Sequence, residues 1–167
     1  QKANQNIIRW MFVLLGRCLY NLRKYDNWQV APYLLGRAGT GKSTIVQILG
    51  ELFAPEYRGV LPNNPETNFP LMFSMGKLII IAPEIKEDFG MPQTFTQSMI
   101  TSEQMMFALK NKPPIQKIFD IPIIFAGNTL PNYEDRSGAW SRRLMLFLFR
   151  KAISKTNTNL IAFLRQE

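Results

Sequence analysis

Short apolar runs alternate with amphipathic segments along most of the chain. An apolar run bounded by turn-forming residues predicts a buried strand, and apolar positions spaced three to four apart predict a helix. The runs that predict strands are Ala31–Leu35, Arg58–Leu61, Leu78–Ala82, Ile121–Ala126 and Leu144–Phe149. Helical spacing occurs in Ile7–Leu22, Thr44–Leu52, Thr94–Ser102 and Leu160–Leu164. Strands that alternate with helices predict a layered α/β domain, and the isoleucine-rich run is typical of a parallel strand covered on both faces.

One segment, Met105–Ile118, fits neither pattern cleanly, because Pro113 and Pro114 interrupt it. We expect a hairpin or a long loop here. Lys110 and Lys112 would lie near its tip, where lysines can hold the phosphates of a single nucleic-acid strand. A solvated charged loop is an equally good interpretation of the spacing alone.

The composition is that of an ordinary globular domain. The chain has 167 residues, of which 46% are hydrophobic and 19% charged. The longest apolar stretch, Trp10–Leu15, is too short to cross a bilayer, so we expect no membrane partner. The single cysteine, Cys18, and the absence of histidine argue against a disulfide or a zinc site and favour a reducing, intracellular compartment.

The formal net charge of +8 favours polyanionic partners, since neutralised phosphates release their counterions. A solvated basic surface, or an acidic neighbouring domain, explains the charge equally well. The chain opens with Gln1 rather than methionine, and we expect it to be part of a larger protein.

The strongest chemical signal is the segment Gly36–Ser43, which fits the phosphate-loop pattern in full. Glycines let successive N–H groups turn towards phosphates, and the following helix adds the positive end of its dipole. In this pattern Lys42 reaches the β and γ phosphates, and the Ser43 hydroxyl ligates Mg²⁺. An apolar strand before the loop and a helix after it favour a nucleotide site over a glycine-rich turn. The expected ATP-binding residues are Gly36, Arg37, Ala38, Gly39, Thr40, Gly41, Lys42, Ser43 and Thr44.

A phosphate loop also needs a carboxylate at the end of a neighbouring strand, to hold the metal and polarise the attacking water. Glu84 is expected just past the strand Leu78–Ala82, at the edge where ligands bind in doubly wound sheets. The usual two adjacent acids are missing, because Pro83 precedes Glu84. Glu84 therefore serves both Mg²⁺ and water, or one task passes to waters and Ser43. The alternative is a solvated loop glutamate.

Two further polar positions follow or precede apolar runs. Asn128 comes after Ile121–Ala126, where a neutral amide can hold the attacking water, although asparagine is also common in turns. Arg142 and Arg143 come just before Leu144–Phe149, and an arginine presented to an adjoining subunit's γ-phosphate stabilises the transition state. A basic loop that pairs with the nearby acids is the alternative.

Taken in order, these motifs resemble the superfamily III helicases of DNA viruses, a branch of the AAA+ ATPases. The likeness is greatest to the poxvirus-type primase–helicases of large DNA viruses and phages, and it runs from about Trp28 to Phe149. Its motifs are the phosphate loop, the strand that ends at Glu84, the segment from Ser102 to Lys112, the strand that ends at Asn128, and the arginine pair. The glycine usual near Glu103 is missing.

The resemblance implies a five-stranded parallel sheet of order 5-1-4-3-2 in a hexameric ring that draws one strand of DNA through its centre. It divides the chain into a truncated collar (1–27), an AAA+ core (28–150) and a helical tail (151–167). Glu84 and Asn128 would act on water, Arg143 (or, second, Arg142) would act in trans, and Lys110 and Lys112 would track single-stranded or forked DNA. Primase or other replication domains would flank the motor, in the host cytoplasm or at a viral replication site.

Three other functions remain open at this point. An AAA+ loader would remodel proteins, a small-molecule kinase would act as a monomer, and a nucleotide-binding module would not hydrolyse. Stimulation by single-stranded DNA distinguishes the helicase from the loader. Turnover that rises steeply with protein concentration and is lost in Arg143→Ala distinguishes it from the kinase, and dependence on Glu84 distinguishes it from the module.

Overall fold

The computed structural model describes residues 2–66, 70–154, 157 and 159–164. Its helices are α1 (Lys2–Arg17), α2 (Lys42–Glu51), α3 (Gln93–Thr101) and α4 (Leu160–Leu164). Its strands are β1 (Ala31–Gly36), β2 (Arg58–Val60), β3 (Ile79–Ile85), β4 (Gln104–Leu109), β5 (Lys112–Ile118), β6 (Ile123–Gly127) and β7 (Leu144–Phe149). The predicted α/β class is confirmed.

Five strands form one parallel sheet in the order β2-β3-β6-β1-β7, and β4 pairs with β5 in a separate antiparallel hairpin. The labels differ from the expected order only because the hairpin strands are counted along the chain. Without them, the sheet reads 5-1-4-3-2 from the β7 edge. Parallel neighbours bring all five carboxyl ends to one edge, which we call the carboxyl edge.

Apolar side chains cover both faces of this sheet. One cluster joins the sheet to α1 and α2 through Leu14, Val46 and Leu49. The other packs the opposite face against α3 and the hairpin, through side chains that include Met99 and Phe107. Burial on both faces explains why the central strands read as continuous apolar runs.

Helix α1 differs from its predicted bounds of Ile7–Leu22. It ends at Arg17 because the chain tightens there into turns, in which the N–H groups of Cys18 and Leu19 bond carbonyls three residues back. The buried Arg17 guanidinium fixes this end, donating to the Asp26 carboxylate at 2.6 and 2.8 Å. Its hydrogen bonds hold the pKa of Asp26 down at about 2.

Strand β6 begins two residues later than predicted, at Ile123, because Pro122 has no N–H to donate to a ladder. Within the described part of the chain, no helix has the length and apolar character needed to cross a membrane. The predicted tail, 151–167, falls partly outside the described residues, which omit 155–156, 158 and 165–167.

Candidate functional site

The phosphate loop connects the end of β1 to the start of α2, as the sequence predicts. A side chain at Gly36 would overlap the backbone carbonyl of Phe149 on the neighbouring strand β7, so only glycine fits there. Gly39 and Gly41 have φ of 71° and 93°, in the left-handed region that disfavours side chains. The glycines of the motif are therefore required by the shape of this loop.

Lys42 occupies the centre of the loop. Its ammonium donates to the carbonyls of Gly36 at 2.6 Å and Arg37 at 2.8 Å, and to Oδ1 of Asn128 at 3.1 Å. The side chain is buried, and this burial lowers the pKa of Lys42. The Thr40 hydroxyl also donates to the Arg37 carbonyl, at 2.7 Å, which fixes the loop from its other side.

The sequence predicted that Glu84 lies just past its strand, and this position is wrong. Glu84 lies inside β3, which continues to Ile85. The ladder between β3 and β6 steps from Ala82 directly to Ile85, so that Pro83 and Glu84 together face a single residue of β6. Such a bulge bends the strand and redirects a side chain. The Glu84 carboxylate is exposed and lies 3.7 Å from the Lys86 ammonium.

Asn128 directly follows β6 at the carboxyl edge, where the sequence places it. Two contacts fix the backbone around it. A side chain at Gly127 would overlap the Ile85 carbonyl and lie 2.6 Å from the Tyr33 hydroxyl, so β3 and β6 approach closely here. The buried Tyr33 donates this hydroxyl to the Thr129 carbonyl at 2.7 Å. Tyr33 therefore helps to hold the backbone next to Asn128, a role that the sequence did not predict.

These groups surround one cavity of about 400 Å³, a volume typical of small-molecule sites. It is lined by residues 38–44 of the loop and its helix, together with Pro83, Glu84, Gly127, Asn128 and Ile153. The structure thus brings together the predicted loop, acid and amide. Ile153 was not predicted to belong to the site.

The cavity suits a magnesium–phosphate ligand. No group of three or more His, Cys, Asp or Glu side chains able to hold a metal occurs among the residues that the structure describes. Mg²⁺ does not need such a cage, since it commonly keeps several waters and binds one or two protein oxygens plus substrate phosphates. The Ser43 hydroxyl and the Glu84 carboxylate line the same cavity and are oxygen donors of this kind.

The arginine pair lies at the other end of the sheet. Leu144, the residue after Arg143, pairs with Ala31 at the start of β1, whereas the phosphate loop leaves the end of β1. Five residues of strand separate these positions by roughly 17 Å. Neither arginine therefore belongs to the cavity of its own chain.

The two arginines, of which the sequence favours Arg143, differ in exposure. Arg143 is half-buried, donates to the Ala139 carbonyl and leaves Nε without a partner in the described structure. Its charge lowers the pKa of Glu103, after the stronger effect of hydrogen bonds from Ser98 and Thr101. Arg142 is exposed, and is the better placed of the two to reach a neighbouring molecule.

The acids near the arginines do not pair with them. Asp135 accepts the backbone N–H groups of Trp140 and Ser141, both at 2.8 Å, which lowers its pKa. Glu134 lies 3.5 Å from Arg136. The alternative of a basic loop bridged to Asp135 or Glu134 is therefore not the arrangement observed.

The segment after α3 is a hairpin, which resolves the choice between a hairpin and a loop. Lys110 and Asn111 form its tip, Lys112 opens β5, and both lysines are exposed. Ser102, with φ of 57°, adopts the left-handed conformation at the end of α3, so the hairpin forms without a glycine near Glu103.

The base of the hairpin and the two arginines lie at the edge of the sheet where the strands begin, which we call the amino edge. The Phe119 N–H bonds the Glu103 carbonyl at 2.9 Å, and the chain then enters the start of β6. Neither Lys110 nor Lys112 is among the residues that line the cavity at the carboxyl edge.

Comparisons with known proteins agree with this architecture. The model of DUF5906, a family of unknown function, matches residues 34–143, which is more than half of the chain. No curated protein sequence matches this chain.

Among solved structures, the C-terminal region of NrS-1 has a TM-score of 0.61 at 23% identity over 92% of this chain. The JCV helicase has a TM-score of 0.54 at 14% identity over 84% of this chain. The chain spans 42% and 40% of the length of these structures. At such identities the likeness shows the shared fold.

Proposed function

The chain belongs to the DUF5906 family, whose function is unknown, and we propose from its site that it is the ATP-hydrolysing motor of a DNA helicase. One observation carries this proposal. Lys42, Asn128 and Glu84, from three neighbouring strands or their ends, line a single cavity of about 400 Å³. A phosphate-binding cation, a neutral amide and an exposed carboxylate are the groups that nucleotide hydrolysis requires.

These groups divide the steps of hydrolysis between them, and Glu84 has two tasks. The loop's N–H groups and Lys42 bind the β and γ phosphates and withdraw negative charge from the bond that breaks. Ser43 and Glu84 would hold Mg²⁺, which would neutralise phosphate charge. Glu84 orients and deprotonates the attacking water, and Asn128 holds that water or contacts the γ-phosphate without adding charge.

Completion of the site requires a second copy of the chain. Because Arg142 lies roughly 17 Å along the sheet from its own phosphate loop, it acts on a neighbour's nucleotide. A ring of subunits, hexameric by family resemblance, places one subunit's amino edge against the next subunit's carboxyl edge. We assign this role to Arg142 rather than Arg143 because Arg142 is exposed and Arg143 is half-buried.

The hairpin is the proposed contact with DNA. Lys110 and Lys112 are exposed at its tip, and the chain carries a net charge of +8. Phosphates of a single strand bind such lysines with a strong dependence on salt. The JCV structure is that of a helicase, which favours this function over protein remodelling as far as a shared fold can.

The test measures Mg-ATP hydrolysis with and without single-stranded DNA. Glu84→Gln should bind ATP normally and hydrolyse it at least about a hundredfold more slowly, since a general base contributes that much. Glu87→Gln, which alters an exposed acid outside the cavity, is the matched control. Equal activity of both variants would contradict the proposal, and stimulation by a protein but not by DNA would favour the loader.

A mixing experiment tests action in trans. Lys42→Ala lacks a working pocket but keeps its arginine, and Arg142→Ala keeps the pocket but lacks the arginine. Each should be inactive alone, and the mixture should recover activity, because a mixed interface joins an intact pocket to an intact arginine. Activity of Arg142→Ala that equals the wild type would remove Arg142 from the mechanism.

A further inference from the structure

After β7 the chain returns to the phosphate loop. The N–H of Ile153 donates to the Gly39 carbonyl at 2.9 Å. Its Cδ1 lies 3.5 Å from the position that a Cβ on Gly41 would occupy, and its side chain lines the cavity. Ile153 is nevertheless 55% exposed. An apolar side chain half-exposed at the rim of a phosphate pocket has surface available for a ligand.

The order of the strands gives the bound nucleotide a direction. In the order of the strands across the sheet, the carboxyl edge carries Glu84 near the end of β3, Asn128 after β6, the phosphate loop after β1, and Ile153 after β7. Under the proposed function, on which this inference rests, Glu84 and Asn128 act at the terminal phosphate. The nucleoside at the other end of the triphosphate then lies on the β7 side of the loop.

We propose that Ile153 is a positioning residue with two tasks, which its side chain and its backbone perform separately. The side chain packs against the ribose and base and so forms the nucleoside wall of the site. The N–H holds the Gly39 carbonyl. Because a trans peptide is planar with its C=O and N–H on opposite sides, this bond also fixes the direction of the Thr40 N–H, one of the loop's phosphate donors.

The two tasks predict different responses to two ligands. Inorganic triphosphate has the charges of ATP but no nucleoside, so it reports on the loop alone. Loss of the Ile153 side chain should weaken Mg-ATP roughly three- to tenfold and leave triphosphate unchanged, since only apolar contact is lost. Loss of the N–H should weaken both ligands by a similar factor, as expected for one hydrogen bond.

The experiment is calorimetric titration of both ligands, with Mg²⁺, into the wild type and three variants. Ile153→Ala removes the side chain and keeps the N–H, and Ile153→Pro removes the N–H. Ala152→Pro is the control, because Ala152 is exposed and lies outside the cavity lining. Thermal unfolding without ligand checks that each variant is folded. If Ile153→Pro is not folded, the response of Ile153→Ala to the two ligands decides whether the side chain forms the nucleoside wall.

The expected result is a selective loss for Ile153→Ala and a general loss for Ile153→Pro, with Ala152→Pro close to the wild type. Equal affinity of wild type and Ile153→Ala for ATP would overturn the nucleoside wall. An equal loss of both ligands in Ile153→Ala would also overturn it. A wild type that binds neither ligand would instead refute the proposed function itself.

Discussion

Replacement of Asn128 by aspartate tests the centre of the site, because it should change protein stability and nucleotide affinity in opposite directions. The Asn128 Oδ1 lies 3.1 Å from the Lys42 ammonium. A carboxylate in its place would form an ion pair with a buried lysine. The same carboxylate would repel the γ-phosphate that Lys42 is proposed to bind.

The size of both effects follows from this geometry. An opposite charge within hydrogen-bond distance shifts a pKa by about one to three units, and each unit is worth about 1.4 kcal/mol. Asn128 itself is exposed, so solvent screening places the gain near the low end, at about 1 kcal/mol. For a domain of this size, that raises the melting temperature by roughly 3 °C. Repulsion of the phosphate by a similar or slightly larger energy weakens ATP about tenfold.

The assay combines thermal unfolding without nucleotide and titration with Mg-ATP. Asn128→Ala is the neutral control, which removes the amide and adds no charge, so it should neither stabilise the protein nor repel phosphate. An Asn128→Asp variant that binds ATP as tightly as the wild type would show that this side chain does not face the phosphates. An Asn128→Asp variant that is less stable than Asn128→Ala would show that the new carboxylate does not pair with Lys42.

Two further predictions concern the scaffold. Asp26→Asn should lower the free energy of unfolding at pH 7 by about 1 to 2 kcal/mol, a range reduced for solvent screening because the Asp26 side chain is 33% exposed beside Arg17. Because the folded pKa of Asp26 lies at about 2, below its ordinary 3.8, urea unfolding should show the wild type's advantage above pH 3.8 and its loss as the pH falls towards 2. Gly36→Ala should destabilise by about 1 to 3 kcal/mol because it overlaps Phe149, whereas Gly16→Ala, with nothing within 4 Å, should stabilise α1 by up to about 1 kcal/mol. Denaturant unfolding that ranks these two variants the other way would contradict the close approach of β1 and β7.

The parts of the site that the sequence predicted are those that depend on one strand and its own continuation. An apolar run, a glycine loop and a helix specify the phosphate loop without reference to the remaining fold. Glu84 and Asn128 were placed at the same edge because parallel strands have their carboxyl ends together. The strand order came from the resemblance, since periodicity does not say which strands are neighbours.

The parts that the sequence did not predict depend on tertiary neighbours. Ile153 belongs to the site only because β7 lies beside β1, and no local pattern encodes that pairing. The difference in exposure between Arg142 and Arg143 depends on the turn after Asp135, which leaves Arg143 half-buried. Helix α1 ends before the predicted Leu22, although its apolar spacing continues, because the chain turns after Arg17 and the contact of Arg17 with Asp26 fixes this end.

The irregular pairing at Pro83 and Glu84 makes the position of the Glu84 carboxylate depend on residue number as well as residue type. Two residues of β3 span the space of one on β6, and alternate residues of a strand face opposite sides. Deletion of Pro83 would restore a regular ladder, and Glu84 would then take the place opposite Ala126. The acid would remain in the sequence, and we expect the proposed hydrolysis to be lost. Loss of a single codon at this strand should therefore act on the proposed site as removal of the carboxylate does.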